Sequence, residues 1–304
     1  MKELLPESGR FYKVNPHCHT NISDGQDTPE EVKKVYKALG YSAVCFTDHE
    51  VLIDHSALCD EDFIALHGYE VAVKQDIHHH TGWFMPVYHF NMIAKDQKNL
   101  KIPRFFLENP SYPGNSRKWR DVVQYDEIIE ATQYDIAWLN DYLGLRHIHG
   151  IEVSNGSCLS HMDCTGIHFQ QMLRSGMRVV PVGGDDNHRM EDVGKAWLMV
   201  KAEELSYEAL IDAFEKGHCY ASEGPEILSL TMEDGKIRVK TSEAVNIVLR
   251  GEGRYAEAAV AKEQLLTWAE FDYIPEKIGA FFRIEVRDAA GNRAYSNAYF
   301  TDSL

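Results

Sequence analysis

FYKVNPHCHTNISDGQDTPEEVKKVYKALGYSAVCFTDHE, residues 11–50, reads as strand, helix, strand, with metal-capable side chains at the end of each strand. Phe11 to Pro16 is the first apolar strand and runs into His17 and His19. The helix spans Thr28 to Gly40, with Thr28 as N-cap, Pro29 at the first position and Gly40 as the stop. Tyr41 to Thr47 is the second strand and runs into Asp48 and His49. The pattern recurs in HGYEV (His67–Val71), VYHFNMI (Val87–Ile93) and VVPVGGDDNH (Val179–His188). Ligand-capable residues at five strand ends predict one polynuclear metal site at the mouth of a parallel barrel or sheet, and so a metal-dependent hydrolase.

Spacing carries the chemistry. His17 and His19 are two apart on a strand, so both imidazoles leave the same face, roughly 6–7 Å apart along it. Cys18 between them points to the opposite face. Asp24 follows on the loop, where its carboxylate can turn back toward a second ion. Of Asp48 and His49, one can be a ligand and the other its hydrogen-bonding support. Glu70 can bridge two ions with its two oxygens. His89 sits in an apolar strand, and Asp186 and His188 are again two apart, after Gly183-Gly184. This mixed nitrogen and oxygen set favours zinc, manganese or iron, two or three ions in all. Glu152 ends a strand in GIEVSNG and is a candidate supporting carboxylate or acid. His78 to His80 read as a solvated run, His147 and His149 precede their strand, and His161 and His168 lie on a predicted helix.

Other elements follow the same alternation. Phe63 to Val73, Asp135 to Leu139, His149 to Val153, Met177 to Val182 and Ala196 to Val200 read as strands; Asp121 to Gln133, His161 to Gly176 and Ser206 to Gly217 read as helices. Parallel strands joined by crossover helices are the expected architecture. Residues 95–120 form a basic, proline-bearing excursion with Lys101, Arg104, Arg117, Lys118 and Arg120, suited to an anionic substrate. After Gly224-Pro225 the pattern changes to short alternating strands with turn signals at Asp234-Gly235 and Gly291-Asn292. The expected division is therefore residues 1–224 for the metal-site domain and 225–304 for a small antiparallel β domain of structural role.

The 304 residues carry 47 acidic against 31 basic side chains, a formal charge of −16. That balance argues against general nucleic-acid binding, which needs a basic footprint. No apolar run is long enough to span a bilayer, and MKELLPESGRFYKV lacks a signal-peptide core, so a cytoplasmic location is expected. Six cysteines show no CxxC pair, which predicts buried free thiols. No GxSxG elbow or glycine-rich phosphate loop occurs, which leaves serine-hydrolase and kinase chemistry without support.

HxHxxxxD at His17, His19 and Asp24, TDH at Thr47 to His49, Glu70, HFN at His89, and DxH at Asp186 and His188 together resemble the polymerase-and-histidinol-phosphatase (PHP) superfamily. The resemblance spans about residues 11–220 and, over the stretch from Asp24 to Glu50, looks like the metal-dependent phosphoesterases with a small C-terminal β domain. It implies an α/β fold, a distorted seven-stranded β/α (TIM-like) barrel, with up to three metals at its strand ends. It implies hydrolysis of a small phosphorylated substrate through attack of a metal-bridging hydroxide, with His19, Glu70 and Asp186 as the catalytic core and no organic cofactor. His17, His19, Glu70 and Asp186 would hold the first metal, Glu70 and His89 the second, and Asp24, His49 and His188 the third. One departure stands out: where the family commonly has another histidine, this chain has Asn140-Asp141 in AWLNDYLG. Hydrolysis of carboxylic or carbamate esters or amides on the same site is the alternative, and a metal-binding module without turnover the third reading.

Overall fold

The structure is a computed structural model and describes residues 1–74, 87–100, 128–133, 148–158 and 166–304. In chain order its first elements are β1 (Lys2–Glu3), β2 (Arg10–Asn15), α1 (Pro29–Ala38), β3 (Ala43–Phe46), β4 (Ile64–Lys74), β5 (Val87–Ala94), β6 (Ile128–Gln133) and β7 (Ile148–Asn155). They continue with α2 (Gly166–Arg174), β8 (Val180–Gly184), β9 (Trp197–Ala202), α3 (Tyr207–Glu215) and β10 (Cys219–Ser222). α1 begins at the expected cap: the Thr28 hydroxyl accepts from the Glu31 N–H, and the Glu31 carboxylate accepts from the Thr28 N–H, a reciprocal capping box. α3 begins with a one-sided cap, the Ser206 hydroxyl accepting from the Ala209 N–H (3.2 Å).

Hydrogen bonds order the sheet β9-β2-β3-β4-β5-β6-β7-β8. The pairs β2–β3, β3–β4, β6–β7 and β7–β8 are parallel. β5 runs antiparallel to both neighbours and β9 antiparallel to β2, which corrects the all-parallel expectation. β6 is a second correction. Ile128–Gln133, the end of the expected helix Asp121–Gln133, is a strand paired on both sides. Ladder bonds to β5 and β7 overrode a helical pattern that only local propensity supported. Just beyond β8 and β2 the two segments meet: the Asp186 N–H donates to the His17 carbonyl (3.0 Å) and the His19 N–H to the Asn187 carbonyl (3.1 Å).

The C-terminal region is β-rich, as expected from its alternation. It comprises β11 (Ile227–Glu233), β12 (Lys236–Ala244), β13 (Asn246–Gly251), β14 (Ala256–Val260), β15 (Leu266–Asp272), the short α4 (Pro275–Ile278), β16 (Phe281–Arg287), β17 (Arg293–Ser296) and β18 (Tyr299–Phe300). Asp234 and Gly235 turn β11 into β12 with positive φ at both, the backbone that an Asp-Gly pair favours. β1, β11, β12 and β15 form one sheet. The order β14-β13-β16-β17 joins the large sheet, because β10 pairs with β9 on one side and β17 on the other. Ile227, Leu230, Ile237 and Val239 pack face to face with Ile247, Leu249, Phe282, Ile284 and Val286 as one sandwich core.

A separate core of Tyr12, Val14, Val180, Val182, Leu198, Val200, Leu210 and Phe214 lies under the first sheet. Tyr69, Val71, Phe90, Val153, Phe169 and Met172 form another beneath α2. Among the described residues, Cys18, Cys45, Cys59 and Cys219 are free thiols, and Cys18 packs with Val32, Tyr36 and Phe46 on the face away from the histidines. No described helix is long and apolar enough to cross a membrane.

Candidate metal centre

Four buried side chains from three strands, β2, β4 and β8, or the residues just beyond them, converge on one point. Nε2 of His17 lies 3.1 Å from Nε2 of His19, 3.1 Å from Oδ1 of Asp186 and 3.4 Å from Oε2 of Glu70. His19 Nε2 lies 3.0 Å from the same Glu70 oxygen and 3.1 Å from the same Asp186 oxygen. Ligand atoms around a single ion with bonds near 2.0–2.1 Å stand about 3.3–3.4 Å apart in a tetrahedron and about 2.9 Å apart in an octahedron. The observed spacings fall in that range. Nδ1 of His19 and both oxygens of Glu70 are buried without a hydrogen bond of proper angle among the described residues, although imidazole nitrogens crowd around them. Buried polar atoms left in this state are costly unless a further partner satisfies them, and a cation between them would do so.

A second group faces the mouth. His19, Asp24, His49 and His188 offer ligand atoms within 4.8 Å of one another. Asp24 Oδ1 is 3.6 Å from His19 Nδ1 and 3.4 Å from His188 Nε2, while its Oδ2 is 3.4 Å from His49 Nε2. His19 therefore turns Nε2 into the first group and Nδ1 into the second. Glu70 divides its oxygens as well: Oε2 belongs to the first group, and Oε1 lies 2.8 Å from Nδ1 of His89. His89 is the third residue of β5, and Glu70 the seventh of eleven in β4. Because β5 runs antiparallel, its beginning lies where the parallel strands end, so His89 reaches the mouth from a strand start and not from a strand end. All eight sequence-predicted ligands thus come together. Asn140-Asp141, His78 to His80, His147, His161, Cys164, the strand expected over 135–139 and the excursion from 101 to 120 lie outside the described residues.

Supporting residues explain why these side chains hold their aim. His17 Nδ1 is 3.0 Å from Glu152 Oε1, which leaves Nε2 to face the cluster. Asn155 donates to Glu152 Oε2 and to Asp186 Oδ2, each at 3.2 Å. Asp48 takes the supporting role: its carboxylate accepts from the Thr20 N–H (2.8 Å), the Thr20 hydroxyl (2.8 Å) and the Ser23 hydroxyl (2.7 Å), fixing the loop between His19 and Asp24. Asp186 adopts φ 49°, a left-handed backbone rare outside glycine, which swings its carboxylate onto both histidines. At Gly184 a Cβ would stand 2.8 Å from Glu152 Oε1 and 2.9 Å from His17 Cβ, so only glycine lets β8 approach this closely.

Sequence reasoning missed Asp185, Asn15, Asn155 and Tyr36. Buried Asp185 accepts from the N–H groups of Gly194, Lys195 and Ala196 and from the Tyr36 hydroxyl. Asn15 Oδ1 accepts from the N–H groups of His17 (3.3 Å) and Asp185 (3.0 Å), clamping β2 to β8. The only available signal was a polar residue inside or beside an apolar strand, which does not name its partner.

The charges are strongly coupled. Burial works against a charged His17, but Asp186, Glu152 and Glu70 outweigh it and hold its pKa well above the ordinary histidine value. His19 is likewise raised to about 9, burial being overcome by Asp186 and Glu70. Burial would raise Glu70, yet His89, His17 and His19 hold it well below the carboxylate range. Asp186 is lowered against the same burial penalty by His17 and His19. Burial raises Glu152, with His17 pulling it back. The site stabilises anionic carboxylates facing cations, the electrostatic condition a divalent ion also meets.

Fold and site together define an α/β protein with a buried histidine–carboxylate centre. The PHP domain model matches residues 15–176, and the chain belongs to that family. Among solved structures, a two-domain protein from Bacteroides vulgatus ATCC 8482, described as containing a predicted PHP-like metal-dependent phosphoesterase, matches at 14% identity, covering 98% of each chain with a TM-score of 0.48. A protein from Bifidobacterium adolescentis ATCC 15703 proposed to be a metal-dependent phosphoesterase matches at 14% identity over 60% of this chain and 89% of its own (TM-score 0.36). An amidohydrolase from Chromobacterium violaceum, with bound sulfate and no metal, matches at 18% identity over 68% and 96% (TM-score 0.45). With TM-scores below 0.5, these likenesses decide nothing about the chemistry. A search of the curated proteins returns no match.

Proposed function

We propose that the protein is a metal-dependent phosphoesterase acting on a small phosphorylated substrate. The observation that carries this reading is the convergence of His17, His19, Glu70 and Asp186 at ligand spacing beside the second group of Asp24, His49 and His188. In this reading the strands β2 to β8 form a distorted seven-stranded barrel, closed where the extensions of β8 and β2 bond to each other. His17, His19, Glu70 and Asp186 would hold one ion; Asp24, His49 and His188, with His19 Nδ1, another; Glu70 Oε1 with His89 a third position. Divalent zinc, manganese or iron held there would polarise a phosphoryl oxygen and lower the pKa of a water near neutrality.

The chain's own residues set up that chemistry. Glu152 orients the His17 ring and keeps Nε2 toward the cluster. Glu70, charged and buried, splits its oxygens between two groups and fixes their separation. His188 Nδ1 sits 3.0 Å from the Asp186 carbonyl, so its Nε2 faces Asp24. We assign His19 to holding ions rather than moving protons, since both of its nitrogens face ligand groups. Half-exposed Asp24 and His188 mark the open side through which a substrate would enter, and the buried first group excludes water behind it.

The test is phosphate release from a panel of phosphomonoesters by manganese- or zinc-reconstituted protein, with Asp186→Ala as control. Release that the substitution abolishes is expected. Folded, metal-loaded protein that releases no phosphate but cleaves carboxylic esters or amides would overturn the phosphoesterase reading and leave the hydrolase one.

A further inference from the structure

The second feature with a chemical signature lies behind β17, away from the metal ligands. A cleft of about 640 Å³ opens between α2 and the face of β13, β16 and β17 that points away from the sandwich core. That volume is typical of small-molecule sites, which run roughly 300–1,000 Å³. Six of the chain's 14 arginines line it: Arg174, Arg250, Arg254, Arg283, Arg287 and Arg293. Among the described residues, Glu285 is the only acidic one in the lining. In a protein of net charge −16, this concentration of positive charge is not a consequence of bulk composition.

Strand register sharpens the point. Arg250 stands directly opposite Arg283, and Arg287 directly opposite Arg293. Like charges facing each other across antiparallel strands are destabilising. Glu285 relieves the first pair, accepting from Arg250 Nε at 2.6 Å and from a terminal nitrogen of Arg283 at 2.7 Å. Arg174, Arg254 and Arg287 have no ion pair among the described residues, so no described carboxylate neutralises these three guanidinium groups at the cleft. The walls are pre-set: Gln170 accepts from Arg283 Nε (2.9 Å) and donates to the carbonyls of Gly251 (2.9 Å) and Glu252 (3.2 Å), stapling α2 to the sheet. Arg283 itself is 1% exposed. A rigid cleft with fork-shaped cationic donors matches a multiply charged oxyanion, which arginine binds through paired N–H groups.

We propose that this cleft is an anion site for a small phosphate-bearing molecule, separate from the metal centre. Arg287, Arg254 and Arg174 supply the recognising charge, while Gln170 and the Arg283–Glu285 pair hold the frame. One carboxylate stands between the two sites: Glu223 accepts from Ser154 on β7 (2.7 Å) and from the Arg293 N–H (3.0 Å).

The experiment is calorimetric titration of the full chain with inorganic pyrophosphate at constant ionic strength, after metal is stripped and the chelator dialysed away. Its result therefore does not depend on the metal centre or on phosphoesterase activity. Saturable binding is expected, weakened about tenfold or more by Arg287→Gln, the order of one charge-assisted hydrogen bond. Lys236→Gln, on the other sheet of the sandwich, leaves it unchanged. Absence of saturable binding, or equal affinity in Arg287→Gln, overturns the proposal.

Discussion

Asp185→Asn isolates the role of a residue that contacts none of the candidate ligands through its side chain. Oδ1 of Asp185 accepts from the N–H groups of Lys195 (2.8 Å) and Ala196 (2.9 Å), and Oδ2 from the N–H of Gly194 (2.7 Å), the Tyr36 hydroxyl (2.9 Å) and, more weakly, the Tyr41 hydroxyl (3.4 Å). An asparagine keeps one oxygen. Its best orientation leaves that oxygen on Lys195 and Ala196 and turns its NH₂ toward the Gly194 N–H, donor against donor. Tyr36 retains Asn187 Oδ1 as an acceptor at 2.8 Å. One orphaned, part-buried N–H costs about 1–3 kcal/mol, and two hydrogen bonds lose their charge assistance. Burial holds the Asp185 pKa above the ordinary value, so a neutral amide recovers part of the desolvation cost. The net expectation is about 2 kcal/mol, which for 304 residues corresponds to a fall in Tm of about 3 °C. Because this turn sets the Asp186 backbone, bound metal measured by elemental analysis falls as well. A variant that melts within 1 °C of wild type (roughly 0.6 kcal/mol) and retains full metal content would refute the reasoning.

Three other outcomes follow from the same geometry. Glu152→Gln removes the charge behind His17 while keeping its shape, and metal affinity, measured by competition with a chromogenic chelator, falls about 10–100-fold. In metal-stripped protein, His19 titrates near 9 against an ordinary 6.5, so its stabilisation is complete below 6.5 and is lost as pH rises through 9. Thermal melts from pH 6.5 to 9.5 should therefore fall without metal and flatten in His19→Gln; a wild-type melt independent of pH would contradict this (range set by the same shift). Gly235→Ala meets nothing within 4 Å and costs about 1–2 kcal/mol from its φ of +71° alone, without loss of metal. Gly184→Ala drives a methyl against His17 and Glu152 and costs about 1–3 kcal/mol together with metal binding; equal metal content in the two variants would refute the close-approach argument.

Much of the site was readable before any fold was known. HxH at His17 and His19 commits both rings to one face because a strand repeats every two residues, and Thr28 and Pro29 mark a helix start by local preference alone. Asp234-Gly235 marks its turn in the same local manner. What failed was long-range. Ile128–Gln133 became a strand through its neighbours in the sheet, and His89 reached the mouth only because β5 runs backwards. Glu152 meets His17 across 135 positions of sequence, and Asp185 finds its donors on the following turn. The arginines of the C-terminal strands became a cleft only when strand register set them opposite one another. Periodicity, capping and turn chemistry act over a few residues and are written in the chain itself. Strand direction, register and the partner of a buried polar group are chosen by packing and hydrogen bonding between distant segments, and only the tertiary structure decides them.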